Sequence, residues 1–293
     1  MVRSGALTGL LSALGLLMAC TPSHPPAQSE GPAHPESLWS LARLDTASGD
    51  FLLVDVRPDS LYATGHLSGA RQVWRDDLSL PADSVGAIEG MALSREAFRA
   101  LLDSLGATAT THLVAYDGVG GCDAARFWWL CRLYGHERVA LLDGFWTART
   151  VHDSPAAPVA KGYQFPATGD ASLLATQSDV ARGNALLLDG RSTEEFDGSI
   201  CKPGAARPGA IPGSLHWDWG MAVDFSGEGR IRPLGQLRDD FARLGITDTT
   251  HVITYCHSGV RSAHTTFVLR ELLGYSNVSN YDGSWVEWSQ TPL

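Results

Sequence analysis

Among 293 residues the chain has no Cys-x-x-Cys and no His-x-x-x-His pair, so no stretch carries the ligand spacing of a zinc site. A glycine-rich phosphate loop of the usual nucleotide-binding kinds is also missing. Basic residues are scarce, with 22 Lys and Arg against 32 Asp and Glu and a formal charge of -10. That balance argues against a broad electrostatic grip on nucleic acid or anionic lipid, but allows a local basic pocket and an anionic substrate. Only five cysteines occur, without the dense, regular spacing of a disulfide-framed domain. Cys122 and Cys131 in particular are not expected to pair. With 44% hydrophobic residues, a chain of this length can fill two ordinary cores without covalent staples.

The one sustained apolar run, Ala6 to Ala19, is short for a membrane span and has the length of a signal-peptide core. It ends in Leu17-Met18-Ala19-Cys20, which resembles a bacterial lipobox, with methionine in place of the usual residue two before the cysteine. The resemblance implies cleavage before Cys20 and lipidation of that residue, making the membrane a partner through the anchor. Residues 21–36 follow as a proline-rich tether with little to bury. Thr21 lacks the aspartate character that would retain a lipoprotein at an inner membrane, so the expected address is the cell envelope, on the periplasmic side of an outer membrane.

The rest of the chain is written twice. "LLVDVRPDSLYATGHLSGA" at 52–70 has a counterpart in "LLLDGRSTEEFDGS" at 186–199 followed by "RPGAIPGS" at 207–214. "HLVAYDGVGGCDAARFWWLCRLYGHERVALLDGFW" at 112–146 aligns without a gap on "HVITYCHSGVRSAHTTFVLRELLGYSNVSNYDGSW" at 251–285. Asp55 and Asp189 are 134 residues apart and Tyr116 and Tyr255 are 139, so the second copy gains five residues, around "CKPGAARPG". A repeat this long is a duplicated domain rather than a solenoid. Each copy alternates short β-branched runs with helical patterns, which predicts an α/β fold with a parallel β-sheet flanked by helices. The expected domains are residues 37–150 and 173–293, joined by a linker at 151–172.

One cysteine, Cys256, stands where the strand pattern "HVITY" meets a polar, glycine-bearing loop. After the loop, Ala263, Phe267, Val268, Leu272 and Leu273 are spaced for one face of a helix, with Ser262 as its expected N-cap and Gly274 as its stop. Ligands of α/β sheets bind at such strand-to-helix edges. Backbone amides, a helix N-terminus and the Arg261 guanidinium all favour a thiolate there, and a pKa lowered from ~8.5 toward ~6 makes it the major form at neutral pH. Inward-pointing amides also form an anion nest able to hold a second sulfur.

Tandem copies, Cys-x-x-Gly-x-Arg-Ser opening a helix, and "NYDGSWVEW" at 280–288 resemble the two-domain rhodanese family of sulfurtransferases, over nearly the whole mature chain. The resemblance implies that Cys256 takes a sulfane sulfur from a small-molecule donor, becomes a persulfide and passes it to a thiophilic acceptor, without a cofactor. His257, Ser258, Gly259, Val260 and Arg261 then form the cradle, with Ser262 beside it. In the first copy Asp117 occupies the place of Cys256 and Cys122 that of Arg261, so that domain is expected to be catalytically silent and to wall the cleft. Arg261 favours thiosulfate over 3-mercaptopyruvate as donor. So does Glu195, which stands where mercaptopyruvate-using members often carry an arginine; Arg207 is the candidate replacement cation.

Arg57 and Arg191 recur in both copies, which favours a structural ion pair over substrate binding, although Arg191 stays a candidate binding residue. Trp285 and Trp288 are expected as wall and core, since Trp146 recurs in the silent copy. His257 is open between substrate contact and solvent. Cys201 reads as a surface thiol or a redox partner of Cys256. Two rival classes stand beside the enzyme. A Cys-Arg phosphatase puts five residues between Cys and Arg, where this loop encloses four. A non-enzymatic envelope protein would load sulfur without turnover. The chain is expected to act as a monomer and to bind no nucleic acid and no metal.

Overall fold

The computed structural model describes residues 31–80, 90–144 and 158–292, with Met1, Val2, Ile88 and Val151. Cys20, the apolar leader, the tether as far as residue 30, Trp146 and linker residues 152–157 lie outside the described residues.

The first copy contributes strands β1 (Leu38–Trp39), β2 (Phe51–Asp55), β3 (Arg71–Gln72), β4 (His112–Tyr116) and β5 (Val139–Leu142). Helices α1 (Leu41–Thr46), α2 (Asp59–Ala63), α3 (Arg75–Leu78), α4 (Arg95–Ser104) and α5 (Cys122–Tyr134) run between them. The second contributes β6 (Leu174–Ala175), β7 (Leu186–Asp189), β8 (Leu215–His216), β11 (Val252–Tyr255) and β12 (Val278–Tyr281), with a small hairpin of β9 (Val223–Asp224) and β10 (Arg230–Ile231). Its helices are α6 (Gln177–Ala181), α7 (Thr193–Phe196), α8 (Leu234–Arg243), α9 (Val260–Phe267) and α10 (Ser284–Trp288).

Both large sheets are five-stranded and parallel throughout, ordered β1-β5-β4-β2-β3 and β6-β12-β11-β7-β8. The orders superpose under the duplication, down to the register: Asp55 pairs with Tyr116, and Asp189 with Tyr255. Central strands such as Leu-Val-Ala-Tyr and Val-Ile-Thr-Tyr are nearly all apolar because helices cover both faces. The fold is α/β, with two domains of one kind.

The two cores merge. Helix α5 is apolar all round apart from Asp123, Arg126 and Arg132, as befits a helix buried on every side. It packs on α9, with the Trp128 and Phe267 rings 5.1 Å apart and edge to face. The face of α9 read from the periodicity is buried, but Ser262, His264, Thr265 and Thr266 on its polar side are buried as well. Several elements cover that side: Thr266 meets Thr254 of β11 at 2.7 Å, Thr265 lies against Gly190, Ser262 touches Cys256, and His264 meets Trp219 and Gly121 at the start of α5. The expected N-cap is also displaced: Gly259, at φ +77°, precedes the helix and Ser262 lies in its first turn. Beyond Phe267 the helix continues as a π-turn over Val268–Leu272, and Gly274, at φ +79°, stops it while Tyr275 N–H donates to Leu269 O at 2.9 Å.

The seam has approximate twofold character. Ala92 N–H donates to Asp282 Oδ2 and Ile231 N–H to Asp143 Oδ1, each at 2.9 Å and each across the domain boundary at equivalent positions of the repeat. Asp282 also binds Arg126 of α5 at 2.6 Å, an ion pair almost wholly removed from water. Such a pair is costly to break from one side, because the surviving charge remains buried.

Three histidines are held neutral by their surroundings. Burial pushes His112, His136 and His264 down to about 4. His136 is fixed between Tyr163 Oη at 2.8 Å and Thr111 O at 3.1 Å, and His264 lies on the seam against Trp219 and Gly121. The unfolded chain takes up these protons near pH 6.5 and the folded chain only near 4, so the contribution of these histidines to stability is full above 6.5 and declines as the pH falls through that window. In denaturant unfolding the loss of stability between pH 7.5 and pH 5 is expected to be smaller in His264→Gln than in wild type, by about 2 kcal/mol.

Candidate active site

Cys256 follows the last residue of β11 and is 1% exposed. The loop after it curls because its carbonyls are claimed from outside. Trp285 and Val286 N–H groups of α10 donate to the carbonyls of Cys256 and His257, each at 3.0 Å. Asn280 Nδ2 and Arg126 Nη1 reach Gly259 O at 3.0 and 3.4 Å. Gly259 is obligatory: besides its left-handed φ, a Cβ there would lie 2.8 Å from Asp282 O. Ser284 completes the curl by accepting the N–H groups of Cys256 and Gly259, at 3.1 and 3.0 Å, and donating to Tyr281 O at 2.7 Å. It holds the left-handed region, at φ +51°, without being glycine.

With the carbonyls turned away, donors face the sulfur. Burial opposes ionisation of Cys256, but the charge of Arg261, the Ser262 hydroxyl at 3.4 Å from Sγ and the amides of Ser262 and Ser258 outweigh it and bring the thiol below its ordinary range. Cys122 and Cys131 are equally buried without such a cradle, and burial pushes both well above that range.

The first domain has the same loop with its occupant built in. Asp117 accepts the N–H groups of Val119 and Gly121 on Oδ1, at 2.8 and 2.9 Å, and those of Asp123 and Ala124 on Oδ2, at 2.7 and 3.1 Å. Burial raises its pKa against those four amides. Gly120, at φ +76°, matches Gly259. This loop is a filled anion nest.

Several residues expected to bind substrate are committed elsewhere. Both Nη atoms of Arg261 bind Glu195, at 2.6 and 2.8 Å, so its fork is not open to donor oxygens and it acts on the sulfur through its field. Burial works against Glu195, yet Arg261 and Lys202, 3.0 Å away, hold it at about 2. Arg207 is no replacement cation: its guanidinium binds the carbonyls of Trp288, Ser289 and Thr291, the open end of α10, and lies over Trp285. Arg191 grips Asp189, with Nη2 to Oδ2 at 2.6 Å, and Gly209 O at 2.8 Å, matching Arg57 with Asp55 and Gly65 O. The pair fastens the loop after each second strand, which is a structural role.

The five-residue gain lies over the site. His257 Nε2 meets Pro203 O at 3.0 Å, half-exposed Lys202 reaches Glu195, and Cys201 is exposed beside them. From the other domain Gly90 sits against Ser258, where an added Cβ would come within 2.8 Å of the Ser258 side chain. Among the described residues no cluster of His, Cys, Asp and Glu is arranged to hold a metal.

Ser284, Asn280, Arg126 and Asp282 were not singled out from sequence. For Ser284 a signal existed: Phe145 is its partner in the repeat, so the copies diverge there as they do at Asp117 and Cys256. A lone arginine in "AARFWWL" was the signal for Arg126.

The chain belongs to the rhodanese-like domain family, which it matches twice, over residues 38–150 and 173–291. It is 35% identical over 266 residues to a protein of Mycolicibacterium smegmatis named "Putative thiosulfate sulfurtransferase", covering 85% of this chain and 92% of that one. It is 33% identical over 282 residues to "Sulfur carrier protein TtuD" of Thermus thermophilus, covering 88% and 95%. The solved structure of YnjE superposes with a TM-score of 0.75 at 25% identity, over 89% of this chain and 68% of that one. An EanB variant in complex with ergothioneine shares the fold, with a TM-score of 0.73 at 22% identity; this chain spans 64% of its length. The protein is thus a tandem-domain member of the sulfurtransferase family.

The cradle makes a measurable demand on the thiol. Arg261→Met is expected to raise the pH midpoint of Cys256 alkylation by iodoacetamide by about 1 unit or more, and Ser262→Ala by less, because each removes a group that favours the anion. Equal midpoints in wild type and Arg261→Met would contradict this account.

Proposed function

We propose that the protein is a thiosulfate sulfurtransferase working through a persulfide on Cys256. The observation that carries the reading is a buried thiol whose ionisation is favoured by amides, a hydroxyl and a guanidinium converging on one sulfur. The Cys256 thiolate attacks the outer sulfur of thiosulfate; the S–S bond of the donor breaks and sulfite leaves with its electron pair. The new anion, Cys256–S–S⁻, lies in the nest. Cyanide or a thiolate then attacks the terminal sulfur, taking it as thiocyanate or a new persulfide and restoring the Cys256 thiolate, in a ping-pong sequence.

The filled nest of Asp117 supports this step, since it is the same loop holding an anion one atom longer than a thiolate. It also supports a silent first domain: a carboxylate cannot form a persulfide. Glu195 stands where an arginine for the 3-mercaptopyruvate carboxylate is expected, and it occupies the Arg261 fork as well, so that carboxylate finds no cation at either place. The number of residues between Cys256 and Arg261 supports sulfur over phosphate as the group held.

Wild type treated with thiosulfate is expected to gain about 32 Da at Cys256 and to turn over thiosulfate with cyanide, with 3-mercaptopyruvate the poorer donor; Cys256→Ser loses at least about 1,000-fold. Stoichiometric loading without turnover would instead favour a sulfur-carrying protein. We propose in addition an exported monomer anchored by lipid at Cys20, on the support of the leader and lipobox. Metabolic labelling with a fatty-acid analogue should mark wild type and not Cys20→Ser.

A further inference from the structure

We infer that Arg75 of the first domain is the anion-binding residue that holds the sulfonate end of the donor over Cys256. This deepens the reading of thiosulfate as donor and rests on it. A dianion approaching a thiolate is repelled, so its far end needs a cation with donors to spare. The arginines of the second domain that sequence pointed to do not provide one: Arg261 is forked onto Glu195, Arg191 onto Asp189, and Arg207 onto the end of α10.

Arg75 opens α3 and its side chain is 48% exposed. It is tied through Nε to Asp123 Oδ1 at 2.6 Å, a contact that fixes the guanidinium and leaves its two Nη groups for a sulfonate. Asp123 lies in the first turn of α5, at the position that Ser262 holds in α9, and Ser262 is the residue touching Sγ. The two helices cross through these turns. Arg126 of α5 reaches Gly259 O at the start of α9, while a Cβ on Gly121 at the start of α5 would lie 3.7 Å from the His264 ring of α9. The crossing brings the first turn of α5, with the Arg75–Asp123 pair on it, against the start of α9 beside the Cys256 loop, near enough for Arg75 to respond to the charge of a Cys256 thiolate. The silent domain would thus supply the donor's counter-charge as well as a wall.

The test compares wild type with Arg75→Gln, Arg75→Lys and the double variant Arg75→Gln/Asp123→Asn. The double variant removes both charges, so a fold upset by an unpaired Asp123 does not block the measurement. Arg75→Gln is expected to raise KM for thiosulfate about tenfold or more, with kcat within about threefold, and Arg75→Lys to recover part of it. A second readout needs no sulfur transfer: the rate of Cys256 alkylation by anionic iodoacetate relative to neutral iodoacetamide should fall about fivefold in Arg75→Gln and in the double variant. An unchanged KM and an unchanged ratio would overturn the inference, as would equal slowing of both reagents, the mark of a structural role. If wild type fails to turn over thiosulfate while the ratio falls, the donor assignment is what goes and an anion-binding Arg75 stands.

Discussion

A negative charge buried at the turn from a strand into a helix persists only where N–H groups converge on it, and this condition organises both halves of the molecule. In the first domain the charge is supplied by the chain itself: the Asp117 carboxyl group takes four amides and fills its loop. In the second the side chain is shorter, and the Cys256 sulfur occupies only the floor of the same nest. Asn280 and the first amides of α10 hold the loop carbonyls away from the sulfur while Ser284 anchors the Cys256 and Gly259 amides, so the neighbours of the loop matter as much as the loop itself.

Duplication explains why those neighbours can be shared. Under the approximate twofold, Asp143 and Asp282 each cap a backbone amide of the opposite domain, and α5 and α9 present their first turns to each other. The seam is therefore buried and bonded like a domain core, and the buried Arg126–Asp282 pair packs closely on Gly259 within it. The domain whose own loop is occupied by a carboxylate completes the surroundings of the other through Arg126 and Ala92.

Much of this was legible in the chain. The repeat predicts two equivalent sheets, the apolar strands predict parallel pairing, and Cys256 is marked by standing where its twin has Asp117. Local periodicity found one face of α9 and could not find the other, since Ser262, His264, Thr265 and Thr266 are polar and are covered by Cys256, Trp219, Gly190 and β11, which no period within the helix announces. Arginine was the least legible residue type. Arg207 and Arg261 have the right charge and the right neighbourhood, but their long side chains reach carbonyl and carboxylate partners at the end of α10 and on α7 that sequence order does not reveal.

Sequence by itself determined the duplication, the α/β class, the family and the cysteine that sets the second copy apart from the first, because these follow from repeat spacing, from the two-residue and 3.6-residue periods of short segments and from side-chain chemistry. Tertiary structure alone decided which cations are spent in pairs, which serine holds the cradle and how the first domain meets the second. Those outcomes depend on contacts between residues far apart in the chain, where burial makes each unpaired charge or amide costly, and only the assembled fold specifies its partner.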